Sequence, residues 1–332
     1  MNSTYLRVRS TFALTISILL VGIVVYNFGI SRAAEAVPAG KREAVKLSAS
    51  DSLIQSASVV YTGDGRYVKF KDGRDIGMVE IQNVLRAEGI DLGSAEPISL
   101  ATDDINGDGY PDLVSGYRST GGGFLVVYYG NEQAYSPSDE EILRGIREET
   151  RFPMPFGTAR IVRLDSAPEV VETGDFDRDG LKDIVSATLG NSSIQFTAGD
   201  RDSGFRTVER IAVPGSVTAI GAGQISAGDS NADLVVGVGG DAGLLIYSSN
   251  DSIAVQRPQF RAVSDPVERI VFGDLDAAQG EDIVAATASR VFVLNGRNMG
   301  VETIELPSRV RDIAVGEFIC DRVSRPEIAV LG

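Results

Sequence analysis

Two nine-residue stretches place oxygen ligands at a spacing that suits a divalent cation. The first reads Asp104-Ile-Asn106-Gly-Asp108-Gly109-Tyr110-Pro-Asp112, and the second Asp175-Phe-Asp177-Arg-Asp179-Gly180-Leu181-Lys-Asp183. Calcium takes roughly six to eight hard oxygens at about 2.3–2.6 Å in a loose geometry. Acids or amides at relative positions 1, 3 and 5 turn into one concavity as such a loop curls. Glycine at position 6 permits the sharp turn, the carbonyl at 7 turns inward, and the acid at 9 closes the site. The first loop thus nominates Asp104, Asn106, Asp108, the Tyr110 carbonyl and Asp112. The second nominates Asp175, Asp177, Asp179, the Leu181 carbonyl and Asp183. The competing reading is a pair of aspartate-capped turns. Against it, several acids crowded into so short a stretch repel one another unless a cation offsets them.

An EF-hand begins in the same way but needs a glutamate at position 12 and flanking helices. Position 12 is Ser115 in one loop and Ser186 in the other, and both flanks read as strands. The EF-hand is excluded.

The elements around these loops repeat. Gly273-Asp274-Leu-Asp276 leads to Asp282-Ile-Val with the same separation of first and last acids, which makes Asp274, Asp276 and Asp282 a third candidate site. Ala278 stands near its third ligand position. Gln224-Ile-Ser226 leads to Asp233-Leu-Val, and Glu317-Phe-Ile leads to Glu327-Ile-Ala-Val, with most acids lost. Loop starts at 175, 224, 274 and 317 are separated by 49, 50 and 43 residues, a period that suits propeller blades. Strand-like runs precede each loop (Pro97–Ala101, Val267–Phe272) and follow it, and a third run comes next (Phe124–Tyr129, Gly243–Tyr247, Arg290–Leu294). A fourth is expected at Phe205–Val208 and Val301–Ile304. Four short strands per repeat make one blade, and radial packing protects their edges.

These segments resemble the FG-GAP/VCBS repeat family, which includes the integrin α-chain propeller. The likeness runs from about Ile98 to Leu331 and is strongest at the first two loops. It implies an all-β propeller with calcium loops on one rim, used for adhesion or ligand recognition. The loops at 224 and 317 depart from the family pattern at their acids, which puts calcium there in doubt.

Composition narrows the chemistry. The 332 residues include no histidine and one cysteine, Cys320, beside a strand-like run. Imidazole-based nucleophile pairs, imidazole zinc sites and an internal disulfide are therefore excluded. A formal net charge of -15 argues against a nucleic-acid partner.

Outside the repeats, Arg7 and Arg9 precede an apolar run from Phe12 to Ile30, and Ala34-Glu35-Ala36 follows. Residues 1–36 read as a signal peptide or a signal anchor; either puts the remainder outside the cytoplasm, and only the uncleaved form would touch a membrane. Residues 37–56 read as a linker and 57–332 as the propeller, with Val59–Tyr61 and Tyr67–Phe70 as a hairpin. Met78, Ile81 and Leu85 fit a helix or another strand. The first two loops lie 71 residues apart, and the excess around Tyr135–Arg163 contains Ser138-Asp-Glu-Glu141, which fits a capping box before a short helix. The fifth unit stops at Gly332 after its second strand, so its outer strands come from 57–71 or the chain is truncated.

Together these features suggest an exported calcium-binding propeller that acts as a non-catalytic ligand-binding or adhesion module. Its partner would be a protein or glycan on the rim loops. Two alternatives stand beside it: a carbohydrate-active hydrolase or lyase, and a passive structural subunit of an envelope assembly. An enzyme would need acids outside the loops, and Glu140, Glu141, Glu148 and Glu149 read more simply as a solvated helix face.

Overall fold

The computed structural model describes residues 95–148, 150–201, 204–206, 208–225, 231–241, 243–248, 252–276, 280–318 and 326–332. It also describes 89–90 and the strand segments 3–9, 15–21, 58–59 and 68–69. The chain divides into two units, one of Met1–Ile23 with Val79–Gly332 and one of Val24–Met78.

The first unit begins with β1 (Ser3–Arg9) and β2 (Thr15–Val21). In the second unit, β3 (Ser58–Val59) pairs antiparallel with β4 (Val68–Lys69), as the hairpin expectation required. Met78, Ile81 and Leu85 lie outside the described residues.

Repeating sheets then follow in the first unit. Blade 1 holds β5 (Glu96–Asp103), β6 (Asp112–Ser119), β7 (Gly122–Gly130) and β8 (Phe156–Leu164) in that order. Blade 2 begins with β9 (Val170–Gly174), β10 (Asp183–Ala187) and β11 (Ser193–Thr197). A small ladder of β12 (Gly199–Asp200) and β13 (Gly204–Phe205) intervenes before its fourth strand, β14 (Glu209–Ala212). Blade 3 holds β15 (Val217–Gly223), β16 (Asp233–Val238), β17 (Gly243–Tyr247) and β18 (Gln259–Ala262). Blade 4 holds β19 (Arg269–Gly273), β20 (Asp282–Ala286), β21 (Arg290–Leu294) and β22 (Val301–Glu305). In blade 5, β23 (Asp312–Gly316) pairs with β24 (Glu327–Leu331), β24 with β1, and β1 with β2. The protein is an all-β propeller of four-stranded antiparallel blades.

Two expectations are corrected here. The fourth strand of blade 2 is Glu209–Ala212, not Phe205–Val208, because Phe205 pairs locally with Gly199. The outer strands of blade 5 come from 3–21 and not from 57–71, since Ser3 to Leu6 pair with Leu331 to Ile328.

Every blade closes its first corner in the same register. Asp103 lies opposite Asp112, Gly174 opposite Asp183, Gly223 opposite Asp233, Gly273 opposite Asp282 and Gly316 opposite Glu327. The repeat inferred from spacing is therefore a structural repeat.

The core is a series of layers between neighbouring blades. Val114, Leu125 and Val127 of blade 1 pack with Val171 and Ile184 of blade 2. Val185, Ile194 and Phe196 of blade 2 pack with Leu234, Val236 and Leu245 of blade 3, and the pattern continues through blades 4 and 5. The second strands β10, β16 and β20 are buried at every residue. A strand covered on both faces carries a continuous apolar run rather than alternation, which explains Ile-Val and Leu-Val after each acid.

Between β7 and β8 lies the insertion, with short helices at Glu132–Tyr135 and Glu140–Arg147. The second is capped by Asp139, whose carboxylate accepts from the Glu141 and Ile142 N–H groups. The cap falls one residue after the expected Ser138. Among the described residues no helix is long and apolar enough to cross a membrane.

Candidate metal centre

The loop joining β9 to β10 gathers its acids most closely. Ligand oxygens of Asp175, Asp177 and Asp183 all lie within 4.8 Å of one another, and Asp175 is buried. The turn is held by the acids themselves. Asp175 accepts from the N–H groups of Arg178 (2.7 Å) and Gly180 (3.0 Å), Asp177 from Asp179 (3.2 Å), and Asp179 from Leu181 (2.9 Å). Gly180 at position 6 has φ +82°, a left-handed conformation with open space around it, so its conformation rather than crowding selects glycine.

Asp183 is held differently. One oxygen accepts from the Phe176 N–H (2.7 Å) and the other from the Gly199 N–H (2.8 Å). Burial, with the charges of Asp177 and Asp179 adding to it, pushes its carboxyl up to about 7 despite these bonds. Burial and the Asp179 charge also push Asp177 up. A dication among these oxygens would relieve that crowding.

The loop joining β5 to β6 repeats the turn hydrogen bonds with one amide, but Asp104, Asp108 and Asp112 do not bring their ligand atoms together as Asp175, Asp177 and Asp183 do. Asp104 accepts from Asp108 (3.0 Å) and Gly109 (2.8 Å), and Asp108 accepts from Tyr110 (2.9 Å). Asn106 accepts from the Asp108 N–H and donates through its amide to the Asp108 carboxylate. Asp112 accepts from Ile105, Asn106 and Gly130, and burial raises its pKa. The Tyr110 ring stacks on Tyr135 of the insertion, with centroids 5.8 Å apart.

In the loop joining β19 to β20, Asp282 accepts from Leu275 and Gly296, and burial raises its pKa. One Asp274 oxygen is buried without a hydrogen-bond partner, an atom suited to a cation. Ala278 lies outside the described residues.

The last acid of the loop behaves alike in all five blades. Asp112, Asp183, Asp233, Asp282 and Glu327 are 0–3% exposed. Each accepts from the main chain near the start of its own loop, at Ile105, Phe176, Ile225, Leu275 and Phe318. In three blades the second oxygen takes the N–H of a glycine just after the third strand or at its end: Gly130, Gly199 or Gly296. A Cβ on any of these glycines would run into the carbonyl of Pro111, Lys182 or Glu281, the residue before the acid. This position is a structural clamp.

Three kinds of site residue escaped the sequence: the clamp glycines, Asn295 and Arg206. Asn295 donates to both Asp276 (2.8 Å) and Asp282 (3.1 Å). Arg206, following β13, bonds Asp177 (3.1 Å) and Asp179 (2.7 Å). All lie on later parts of the blade, where no motif marks them. A Gly recurring 14 to 18 residues after the last acid was the one legible signal.

A family model of the FG-GAP repeat matches residues 97–128, which contain the first loop. No curated protein matches the chain. Among solved structures the chain is similar to that titled "Crystal structure of BBS1N in complex with ARL6DN, soaked with lead", at 10% identity and TM-score 0.46, covering 72% of this chain and 62% of that one. A mercury-soaked crystal of the same complex matches at 9% identity and TM-score 0.45, covering 70% and 64%. The V. cholerae biofilm matrix protein Bap1 matches at 18% identity and TM-score 0.34, covering 68% and 42%. The chain thus spans less than two thirds of the length of these structures.

Proposed function

We propose that this chain is an exported, calcium-binding propeller that works as a non-catalytic ligand-binding or adhesion module. The observation that carries the reading is the convergence of Asp175, Asp177 and Asp183 oxygens on one point of the β9–β10 corner. Bound calcium would supply a positive centre that joins these acids across the turn and adds its binding free energy to folding. The β5–β6 corner offers a second site of the same donor types, and the orphaned Asp274 oxygen supports a third. Ligand contact falls to rim loops and to the insertion, where Tyr135, Phe152 and Met154 are exposed. A protein or glycan partner suits such a surface, and the acidity disfavours nucleic acid.

The non-catalytic reading is supported by the placing of the insertion acids. Glu140, Glu141 and Glu148 are exposed, and Glu141 pairs with Arg151 at 3.3 Å. The export reading rests on Arg7, Arg9 and the apolar run that follows them in the sequence, and the pairing of 3–9 and 15–21 as the outer strands of blade 5 counts against a signal peptide or anchor there.

Calcium titrated calorimetrically into the full chain, and into Asp104→Ala and Asp175→Ala, tests the reading. Each substitution should remove one binding event. Identical melting curves in calcium and in chelator, with no heat of binding, would overturn it.

A further inference from the structure

We infer that Arg206 is an internal competitor for the cation at the β9–β10 corner and sets its affinity; the inference rests on the calcium reading above. The Arg206 guanidinium reaches Asp177 and Asp179 through one nitrogen, at 3.1 and 2.7 Å. It is not a loose surface arm at its root. Its N–H donates to the Ala198 carbonyl (2.9 Å) and its Nε to the Gly199 carbonyl (3.3 Å). Gly199 in turn donates to Asp183 (2.8 Å), so the same short stretch ties the arginine and the clamp acid to one loop. The β12–β13 ladder fixes this geometry by pairing Gly199 with Phe205.

The consequence is electrostatic. Asp177 is a nominated ligand, and the Asp177 oxygen that faces Arg206 is turned toward a fixed positive group. A dication arriving beside Asp175 and Asp183 meets that charge at short range, where screening by salt is incomplete. Calcium must either displace the guanidinium or bind against its repulsion. Without calcium, the same guanidinium offsets two crowded acids and holds the corner. At the β5–β6 corner, among the described residues, no cationic side chain bonds Asp104 or Asp108; Lys182 bonds Asp103, which is not a nominated ligand, at 3.0 Å. The two corners therefore differ in affinity for a reason outside their ligand motifs.

The test uses calcium alone and the full chain carrying Asp104→Ala and Asp274→Ala, which leaves the β9–β10 corner as the remaining site. Adding Arg206→Gln should tighten calcium binding by about five- to tenfold, while Arg206→Lys should stay near the parent. Melting gives the second readout. Arg206→Gln should melt below the parent in chelator and no lower in saturating calcium, so the gap between the two conditions widens. In an Asp175→Ala background, Arg206→Gln should leave the affinity of the β5–β6 corner unchanged. Unchanged or weaker binding at the β9–β10 corner overturns the inference while leaving the calcium reading intact. No calcium binding in any of these proteins overturns both.

Discussion

Between β9 and β10 the corner places aspartates at 175, 177, 179 and 183; between β15 and β16 the equivalent corner has Gln224 and Ser226 in the first two of these places and keeps the final acid, Asp233. Both corners hold the same register, with a glycine opposite the last acid. In both, that acid is fully buried and accepts a hydrogen bond at 2.7 Å from the second residue of the loop. The difference shows that two jobs are separable within one motif. The last acid holds the corner by its main-chain hydrogen bonds, and on the proposed calcium reading the earlier acids add the further ligands.

The comparison is broken most severely by Asp183→Ala. It removes the clamp and a ligand together, leaving the Phe176 and Gly199 N–H groups without their acceptor. We expect a loss of about 5 kcal/mol in saturating calcium and roughly half of that in chelator, read by urea unfolding. Asp233→Ala should cost about 3 kcal/mol, and equally in both conditions. A calcium-dependent cost at Asp233 would erase the distinction between the corners.

Glu172 lies between the two regions: it sits in β9 and accepts from the Ala222 backbone in β15. Burial pushes its carboxyl up to about 7 from 4.5. The folded chain therefore holds this proton more tightly than the unfolded chain. The penalty is absent below the unfolded value and complete above the folded one, so stability falls as pH rises through that window. Glu172→Gln should remove about 2 kcal/mol of the change between pH 5 and 7.5. Parallel pH profiles for the two proteins would sink this assignment. The smallest effect is expected at Gly180→Ala, which forces a Cβ into the left-handed region at about 1 kcal/mol, with the melting temperature lowered in calcium and chelator alike.

The fold was legible because period and hydrophobic runs are local. Asp104 to Asp112 and Asp175 to Asp183 align by eye, and buried second strands announce themselves as Ile-Val or Leu-Val. The gathering of Asp175, Asp177 and Asp183 was legible for the same reason. What remained hidden depends on contacts across the blade. Arg206 meets Asp177 only because β12 and β13 fold back, and Asn295 meets Asp276 only once β21 has paired. The displaced fourth strand of blade 2 has one cause with Arg206: the ladder that consumes Phe205 pushes the strand on to Glu209. One partner of β24, β1, lies at the opposite end of the sequence, and no local pattern ties Ser3–Leu6 to Ile328–Leu331.

The corners of the first four blades are also stitched one to the next. Lys182 bonds Asp103 at 3.0 Å, the Ala232 N–H donates to the Asp175 carbonyl, and Gln224 and Glu281 exchange bonds in both directions. These links run along the rim of four successive blades like the hoop of a barrel. A pull on one corner would thus load several blades in series instead of peeling a single strand.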